Sequence, residues 1–472
     1  MSSPVKASEV PDCSRHPADT LGMPAEDMRR LGYKVVDLVV ERLIGRDLEP
    51  AILTGTPEAL MSRLDGGLPE APVDPDNSLD LLVRVALAHQ QHGDHPRYFA
   101  RVPGPSSFAA VLGEWLGTGF NAISASWGGG SGPSTVELVA LEWLRQFIGL
   151  PPGTEGVLVS GGSLANLTAF AAARTARGSG VAYLTDQAHA SLPRSLRGLG
   201  FAQEQVRTLE SDANLRMPPD ALLAAIAKDR RAGRHPFMVV ASGGTTNAGT
   251  IDPLPEIARI CKAENLWFHV DGAYGAPAAA TAQGRRCLAG IEHADSLVLD
   301  PHKWLFQPYD VGCVFVSRPG TLERCFALDA EYLRDVTADR GQVDFRDRSL
   351  ELTRRARALK LWMTFRTYGC ERLRAAIRRG IALAEFAEAC LRGSPATWEV
   401  VVPAQIGIVC FALRNAGEGE HARRAKAVSD SGYAAVSSTM LKSRSVLRLC
   451  TINPLTTEDD IAGTIDRLAR PA

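Results

Sequence analysis

Hydrophobic positions along the chain follow two periods, and the change between them divides the sequence into parts. From about residue 156 onward, short apolar runs alternate with longer stretches whose apolar residues have helical spacing. The runs predict buried strands at residues 156–159, 181–185, 237–241, 266–270, 296–299 and 311–316. Fully apolar strands separated by helices are typical of parallel sheets covered on both faces. The pattern therefore predicts an α/β fold with a mostly parallel central sheet.

Helical spacing without strands dominates the N-terminal part of the chain. It predicts helices at residues 27–43, 56–64 and 79–92. Further helices are predicted at residues 108–121, 135–149, 164–174, 254–263, 349–366, 371–391 and 458–468, with short strands from residue 398 onward. We therefore predict an N-terminal helical segment over residues 1–107, a large domain over 108–358 and a small C-terminal α+β domain over 359–472.

Composition excludes several classes of function. The 472 residues include 52 basic and 53 acidic side chains, a net charge of -1, which gives no electrostatic footprint for nucleic acid or an anionic membrane. No apolar run reaches the ~18 residues that span a bilayer, and no signal-peptide pattern is present, so we expect a cytoplasmic protein. The nine cysteines are scattered without a CxxC pair, which favours free thiols over disulfides or a metal site.

The sequence Asp-Pro-His-Lys-Trp at residues 300–304 carries the first chemical signal. It follows the predicted strand 296–299, and open α/β sheets bind ligands at the carboxyl ends of their strands. Burial there lowers the pKa of a lysine from about 10.4 and frees its amine to attack a carbonyl. We therefore predict that Lys303 forms a Schiff base with an aldehyde cofactor.

Two further motifs fit the same cofactor. Asp271 ends the apolar strand 266–270, where a carboxylate can keep the ring nitrogen of pyridoxal phosphate protonated. Gly161, Gly162 and Ser163 form a glycine-rich turn between a predicted strand and helix, with Ser163 placed as the N-cap. Because the free N–H groups of a helix N-terminus attract anions, this turn is predicted to hold the cofactor phosphate.

These motifs resemble those of the group II pyridoxal-phosphate-dependent amino acid decarboxylases, typified by aromatic-L-amino-acid decarboxylase. The resemblance extends from about residue 95 to the C-terminus. It implies the aspartate aminotransferase-like fold, called fold type I, and a homodimer whose subunits share their active sites. In such a dimer the N-terminal helical segment packs on the partner subunit. The expected substrate is a small molecule, an amino acid, and neither nucleic acid nor membrane is a partner.

The resemblance also assigns roles to single residues. His189, in the sequence Asp-Gln-Ala-His, matches the histidine that stacks on the cofactor ring, and Thr246 matches a threonine near the ring. His302 is expected at the cofactor or at the substrate carboxylate. Asp300 departs from the asparagine that some relatives have near the phosphate. The cofactor-binding candidates are Gly161, Gly162, Ser163, His189, Thr246, Asp271, Ala273, Asp300, His302 and Lys303.

Substrate choice is left open by the sequence. Residues 95–107 and the glycine-dense residues 125–133 match segments that line the substrate pocket of the family. The pocket candidates are Arg101, Val102, Pro103, Ala125 and Trp127. Because Arg101, Val102 and Ala125 replace aromatic residues of animal relatives, an aliphatic or acidic substrate is an alternative to an aromatic one.

The reaction implied by the resemblance is decarboxylation of an L-amino acid to its amine and CO2. The catalytic candidates are Lys303, Tyr332, His189 and His302, with Tyr332 as proton donor on a catalytic loop. Relatives with phenylalanine in place of this tyrosine tend toward oxidative formation of an aldehyde, so Tyr332 favours simple decarboxylation. An aldehyde synthase is the alternative, and a cofactor-binding relative without activity is disfavoured because these residues are intact.

Overall fold

A computed structural model of the chain describes residues 21–328 and 341–471. It divides into two compact units. The first runs to Leu48 and resumes over Leu53–Gln90, and the second combines Glu49–Ile52 with Gln91–Ala472. The predicted division of the chain at residues 107 and 358 stays a prediction.

The first unit is helical. It contains α1 (Ala25–Ile44), α2 (Pro57–Leu64) and α3 (Pro75–Leu81), and α3 continues as a π-helical segment, Leu82–Leu87. Thr56 caps α2 by accepting the N–H of Ala59, as its position before Pro57 favours. The helix predicted from residue 79 begins earlier, because Asp74 caps it and Pro75 occupies its first turn.

A seven-stranded sheet forms the centre of the second unit. Its strands are β1 (Glu155–Val159), β2 (Val181–Thr185), β3 (Val206–Leu209), β4 (Pro236–Ser242), β5 (Trp267–Asp271), β6 (Ser296–Leu299) and β7 (Gly312–Val316). The strand order is β1-β7-β6-β5-β4-β2-β3. β7 runs antiparallel to both neighbours and the other pairs are parallel, which confirms the mostly parallel sheet.

Helices precede and separate these strands. They are α4 (Phe108–Gly119), α5 (Trp127–Ile148), α6 (Gly162–Arg177), α7 (Ser191–Gly198), α8 (Pro219–Arg231), α9 (Leu254–Ala263), α10 (Ala282–Cys287), α11 (Pro301–Trp304) and α12 (Thr321–Phe326). The helix predicted from residue 135 begins earlier, within the glycine-dense segment, because Ser126 caps α5 and accepts the N–H of Gly129 at 3.2 Å. Ser163 is not the cap of α6: Gly161 occupies that position and Ser163 lies in the first turn.

The C-terminal part contains a second sheet and long helices. Its elements are α13 (Ala358–Arg392), β8 (Trp398–Gln405), β9 (Ile408–Leu413), α14 (Glu420–Asp430), β10 (Ser437–Leu441), β11 (Arg444–Cys450) and α15 (Glu458–Ala469). The four strands form an antiparallel sheet. The two helices predicted at residues 349–366 and 371–391 are one run that starts at Ala358 and is kinked at Gly369, whose φ is 68°.

A buried ion pair fixes the segment before α5. Glu137 and Arg354 are both fully buried, with Arg354 Nη2 at 2.7 Å from Glu137 Oε1. Glu137 also accepts the hydroxyl of Ser124 at 2.7 Å and the backbone N–H of Leu158 at 3.0 Å. Buried charges persist only when paired and hydrogen-bonded, so this cluster ties β1 to the segment that contains Ala125.

Over the described ranges, no helix combines the length and the apolarity needed to cross a bilayer.

Candidate active site

The predicted cofactor residues surround one cavity of ≈ 400 Å³. It lies at the carboxyl ends of β4, β5 and β6 and at the N-terminus of α6, the edge at which α/β sheets bind ligands. All ten cofactor-binding candidates line it: Gly161, Gly162, Ser163, His189, Thr246, Asp271, Ala273, Asp300, His302 and Lys303.

Lys303 lies on α11, one residue after His302, and its Nζ is 2.8 Å from Asp300 Oδ2. Burial alone would lower the pKa of Lys303, but the charges of Asp300 and Asp271 more than offset it and the pKa is raised. The expectation that burial lowers the pKa of Lys303 and leaves its amine uncharged is therefore wrong. The sequence did not predict the ion pair with Asp300 that raises this pKa.

Asp300 is the most enclosed acid of the site. Its Oδ2 faces Lys303 and lies 3.6 Å from His302 Nε2, while its buried Oδ1 has no hydrogen-bond partner among the described residues. Glycines make room for it: a Cβ on Gly162 would lie 2.8 Å from Oδ2, and one on Gly312 would lie 2.9 Å from Oδ1. Only glycine at these positions lets α6 and β7 approach Asp300 so closely.

Asp271 ends β5 and faces the same cavity. Its Oδ1 accepts the backbone N–H of Ala273 at 3.1 Å. Burial raises the pKa of Asp271, and the positive charge of Lys303 acts against that rise. A buried carboxylate in a cavity that also contains a lysine is suited to keeping the nitrogen of a bound ring protonated.

Two histidines complete the predicted set. His302 Nδ1 accepts the backbone N–H of Val311 at 3.2 Å, and its ring centroid lies 4.9 Å from that of Tyr309. Burial lowers the pKa of His302, which keeps the ring neutral. His189 follows β2 on an exposed turn, and its Nδ1 is 2.8 Å from the hydroxyl of Ser191, which orients the ring at the cavity.

Several cavity residues were not predicted from the sequence. They are Ser160, Leu164, Asn166, Ser191, Ser242, Gly244, Thr245 and Tyr274. Asn166 Oδ1 is 2.9 Å from His269 Nε2, and His269 Nδ1 is 2.8 Å from Ser296 Oγ, so a buried polar chain underlies the cavity. His269 lies two residues before Asp271 on a strand that is otherwise apolar, which was the available signal.

The five substrate-pocket candidates do not line this cavity. Arg101 is exposed, donates to Gln91 Oε1 at 3.2 Å, and has a positive φ of 49°. Pro103 and Ala125 are buried, Val102 and Trp127 are partly buried, and the backbone N–H of Trp127 donates to Asp344 Oδ1 at 2.7 Å. Tyr332 lies outside the described residues.

Comparison with known families decides which chemistry this geometry serves. The pyridoxal-dependent decarboxylase conserved domain matches residues 57–414. The chain belongs to this family. It is therefore an enzyme of the carboxy-lyase class, and its cofactor is pyridoxal phosphate.

Individual relatives align over nearly the whole chain. Aromatic-L-amino-acid decarboxylase from Bacillus atrophaeus is 41% identical over 94% of this chain and 95% of its own length. Phenylacetaldehyde synthase from Arabidopsis thaliana is 31% identical over 93% of this chain and 94% of its own. The crystal structure of Oryza sativa TDC with PLP and tryptamine superposes with a TM-score of 0.90 at 29% identity, over 94% of this chain and 97% of that one.

The residues of the cavity fit pyridoxal phosphate. Lys303 and Asp271 provide an amine for the aldehyde and a carboxylate for the ring nitrogen. The first N–H groups of α6, at Gly162 and Ser163, have no partner within the helix and can receive a phosphate. The cavity volume lies within the range of about 300–1,000 Å³ that is usual for cofactor sites.

Proposed function

We propose that the protein decarboxylates an aromatic L-amino acid to the corresponding amine and CO2. The observation that carries the proposal is that Lys303 and Asp271 face one cavity in a chain that aligns with an aromatic decarboxylase over 94% of its length. The bound cofactor supplies an electron sink for the electron pair that remains when CO2 leaves.

The proposal gives each side chain a distinct task. Lys303 holds the aldehyde carbon, and Asp271 keeps the ring nitrogen protonated. Gly161, Gly162 and Ser163 bind the phosphate through backbone N–H groups, with Ala273 and Asp300 packed beside them. The exposed ring of His189 covers the cofactor ring, while Thr246 and His302 contact its polar edge or the substrate carboxylate. Tyr332 returns a proton to the carbon that lost CO2.

We further propose a homodimer in which the subunits share their active sites. Of the pocket candidates, Arg101, Val102 and Trp127 keep exposed surface and do not line the cavity of their own subunit, as a contribution to a second subunit would require. An apolar stripe on α4 supports this proposal, since its members recur every fourth residue and remain exposed. They are Phe108, Leu112, Leu116 and Phe120, with Phe120 82% exposed.

Replacing Leu116 by Asp tests the dimer. A charge in the middle of an apolar interface is expected to weaken association by about 30-fold or more and to lower activity in parallel. Light scattering at several protein concentrations measures the mass. Thr118→Asp places the same charge on another face of α4 and should leave the mass unchanged. A Leu116→Asp protein that remains an active dimer would contradict the stripe as the interface.

The second candidate function is aldehyde synthesis, favoured by the similarity to a phenylacetaldehyde synthase. Tyr332→Phe tests it. Without the phenol hydroxyl, amine formation is expected to fall by about 10²-fold, the usual contribution of a general acid, while aldehyde and peroxide, formed with consumption of dissolved O2, rise. Products are identified by mass and peroxide is assayed alongside, with the exposed Tyr33→Phe as control. Unchanged amine yield would remove Tyr332 from the mechanism.

A cytoplasmic location stays a prediction.

A further inference from the structure

Asp252 is a buried acid outside the cofactor cavity. It stands before α9, is 4% exposed, and accepts two backbone N–H groups from separate segments. The N–H of Met217, before α8, donates to Oδ1 at 2.7 Å, and the N–H of Ser242, at the end of β4, donates to Oδ2 at 2.7 Å. Both carboxylate oxygens are therefore occupied by main-chain donors.

The segment that Asp252 holds is part of the cofactor site. Ser242 pairs with Asp271 in the register of β4 and β5, and the N–H of Gly243 donates to the carbonyl of Asp271 at 2.8 Å. Asp252 also donates its own N–H to the carbonyl of Ser242 at 3.0 Å. Asp252 thus fixes the main chain that supports Asp271, the acid proposed to keep the ring nitrogen protonated.

Asp252 also closes the loop of residues 243–251. Inside that loop, Thr245 Oγ1 lies 2.9 Å from Thr250 Oγ1 and accepts the backbone N–H of Thr250 at 3.2 Å. Thr245 and Thr246 both line the cofactor cavity. Hydrogen bonds therefore hold this loop at two places. One is inside the loop, between Thr245 and Thr250, and the other is between Asp252 and Ser242, which flank it.

The negative charge of buried Asp252 lowers the stability of the folded protein. Burial raises the pKa of Asp252 to about 6, although the N–H groups of Ser242 and Met217 act to lower it. The charge of Arg216 also acts to lower this pKa, and that of Asp212 acts to raise it. A second cavity of ≈ 440 Å³ borders it, with Arg216, Glu256, Arg286 and Glu385 as its other charged groups. Because the folded pKa lies above the unfolded value, folding stability falls as pH rises toward 6 and the carboxyl ionises. The carboxylate of Asp252 lowers folding stability when it is ionised, yet it accepts two main-chain N–H groups. This combination indicates a role other than stabilising the fold.

We propose that Asp252 is a positioning residue, which sets the end of β4 and the loop of residues 243–251 so that Asp271 and Thr246 meet the cofactor. The inference rests on the cofactor site proposed above and not on the identity of the substrate. It favours the ionised form, since a carboxylate accepts both N–H groups more strongly than a protonated carboxyl group does.

Asp252→Asn tests this role. The amide keeps the shape but turns an N–H donor toward a main-chain N–H, so the dissociation constant for pyridoxal phosphate is expected to rise about tenfold. The melting temperature of the cofactor-free protein should stay within about 3 °C of wild type, because the cost of the buried charge is removed together with one hydrogen bond. Equilibrium binding and thermal unfolding separate these two effects.

The pH profile gives a readout that a purely structural role would not change. Because a phosphate monoester also titrates near pH 6, the readout is the difference between the two proteins: wild-type cofactor affinity should weaken more steeply than that of the Asn variant as pH falls through about 6, where Asp252 takes up a proton. Asp295→Asn is the matched control. Asp295 is also partly buried with a raised pKa, due to burial, and accepts the N–H of Phe268 at 2.9 Å, but it lies at the opposite end of β5.

The possible outcomes are distinct. If Asp252→Asn binds the cofactor as tightly as wild type, or if its affinity falls as steeply as that of wild type when pH is lowered through 6, the positioning role is wrong. If its affinity falls no further than its melting temperature explains, Asp252 is structural only and the inference is overturned. A wild-type protein that takes up no pyridoxal phosphate would instead contradict the cofactor site itself.

Discussion

Lys303→Ala is expected to yield a protein that folds, still takes up pyridoxal phosphate, and lacks the yellow colour of the lysine-linked cofactor. Turnover should fall by about 10³-fold or more, because the variant loses the amine that attaches the cofactor covalently. Loss of the positive charge also leaves Asp300 facing His302 alone, so cofactor affinity should weaken as well.

Spectroscopy and steady-state kinetics on the same preparation check this result. Lys426→Ala is the matched control: Lys426 is 73% exposed on α14, where it pairs with Asp430. Borohydride reduction adds an independent readout, since it should fix the cofactor to wild type and to the control but not to Lys303→Ala. A variant that keeps the colour and is labelled by borohydride would assign the linkage to another lysine.

Asp271→Asn has the second-largest expected effect. An amide cannot keep the ring nitrogen protonated, so the cofactor loses its capacity as an electron sink and turnover should fall by about 10³-fold. The link to Lys303 should persist, so the protein remains yellow. The pKa of Lys303 should also fall, because the charge of Asp271 is one of those that raise it.

Kinetics with the loaded enzyme separate this variant from one that has lost the cofactor. Asp295→Asn again serves as control, since Asp295 directly precedes β6 and therefore lies at the end of the strand opposite to the cavity. Full turnover by Asp271→Asn with the cofactor bound would mean that another group protonates the ring nitrogen, and Asp271 would lose its role.

The sequence predicted the sheet, and its cofactor-binding candidates line one cavity, for a physical reason. Buried parallel strands are apolar throughout, and a polar residue directly after such a strand is conspicuous. Asp271 and Asp300 stand at such places, Lys303 lies three residues after Asp300, and the structure brings all three to one cavity. β3 was missed because none of its four residues is buried at the edge of the sheet, and two of them are the polar Arg207 and Thr208.

The errors arose where tertiary contacts override local pattern. The glycine-dense start of α5 is helical because Ser126 caps it and Asp344, distant in sequence, accepts the N–H of Trp127. The raised pKa of Lys303 has the same origin: burial acts to lower it, and the charge of Asp300 prevails. The role of Asp252 could not be predicted either, because Met217 is 35 residues away from it along the chain.

The central claim is tested most directly by the products formed from a panel of L-amino acids by the enzyme supplied with pyridoxal phosphate. Products are identified by mass, and peroxide is assayed in the same reactions. We predict amine from tryptophan, tyrosine, phenylalanine or dihydroxyphenylalanine, without peroxide. Amine from aliphatic or acidic substrates alone would contradict the aromatic assignment and direct attention to Arg101, Val102 and Ala125. Aldehyde with peroxide would contradict simple decarboxylation.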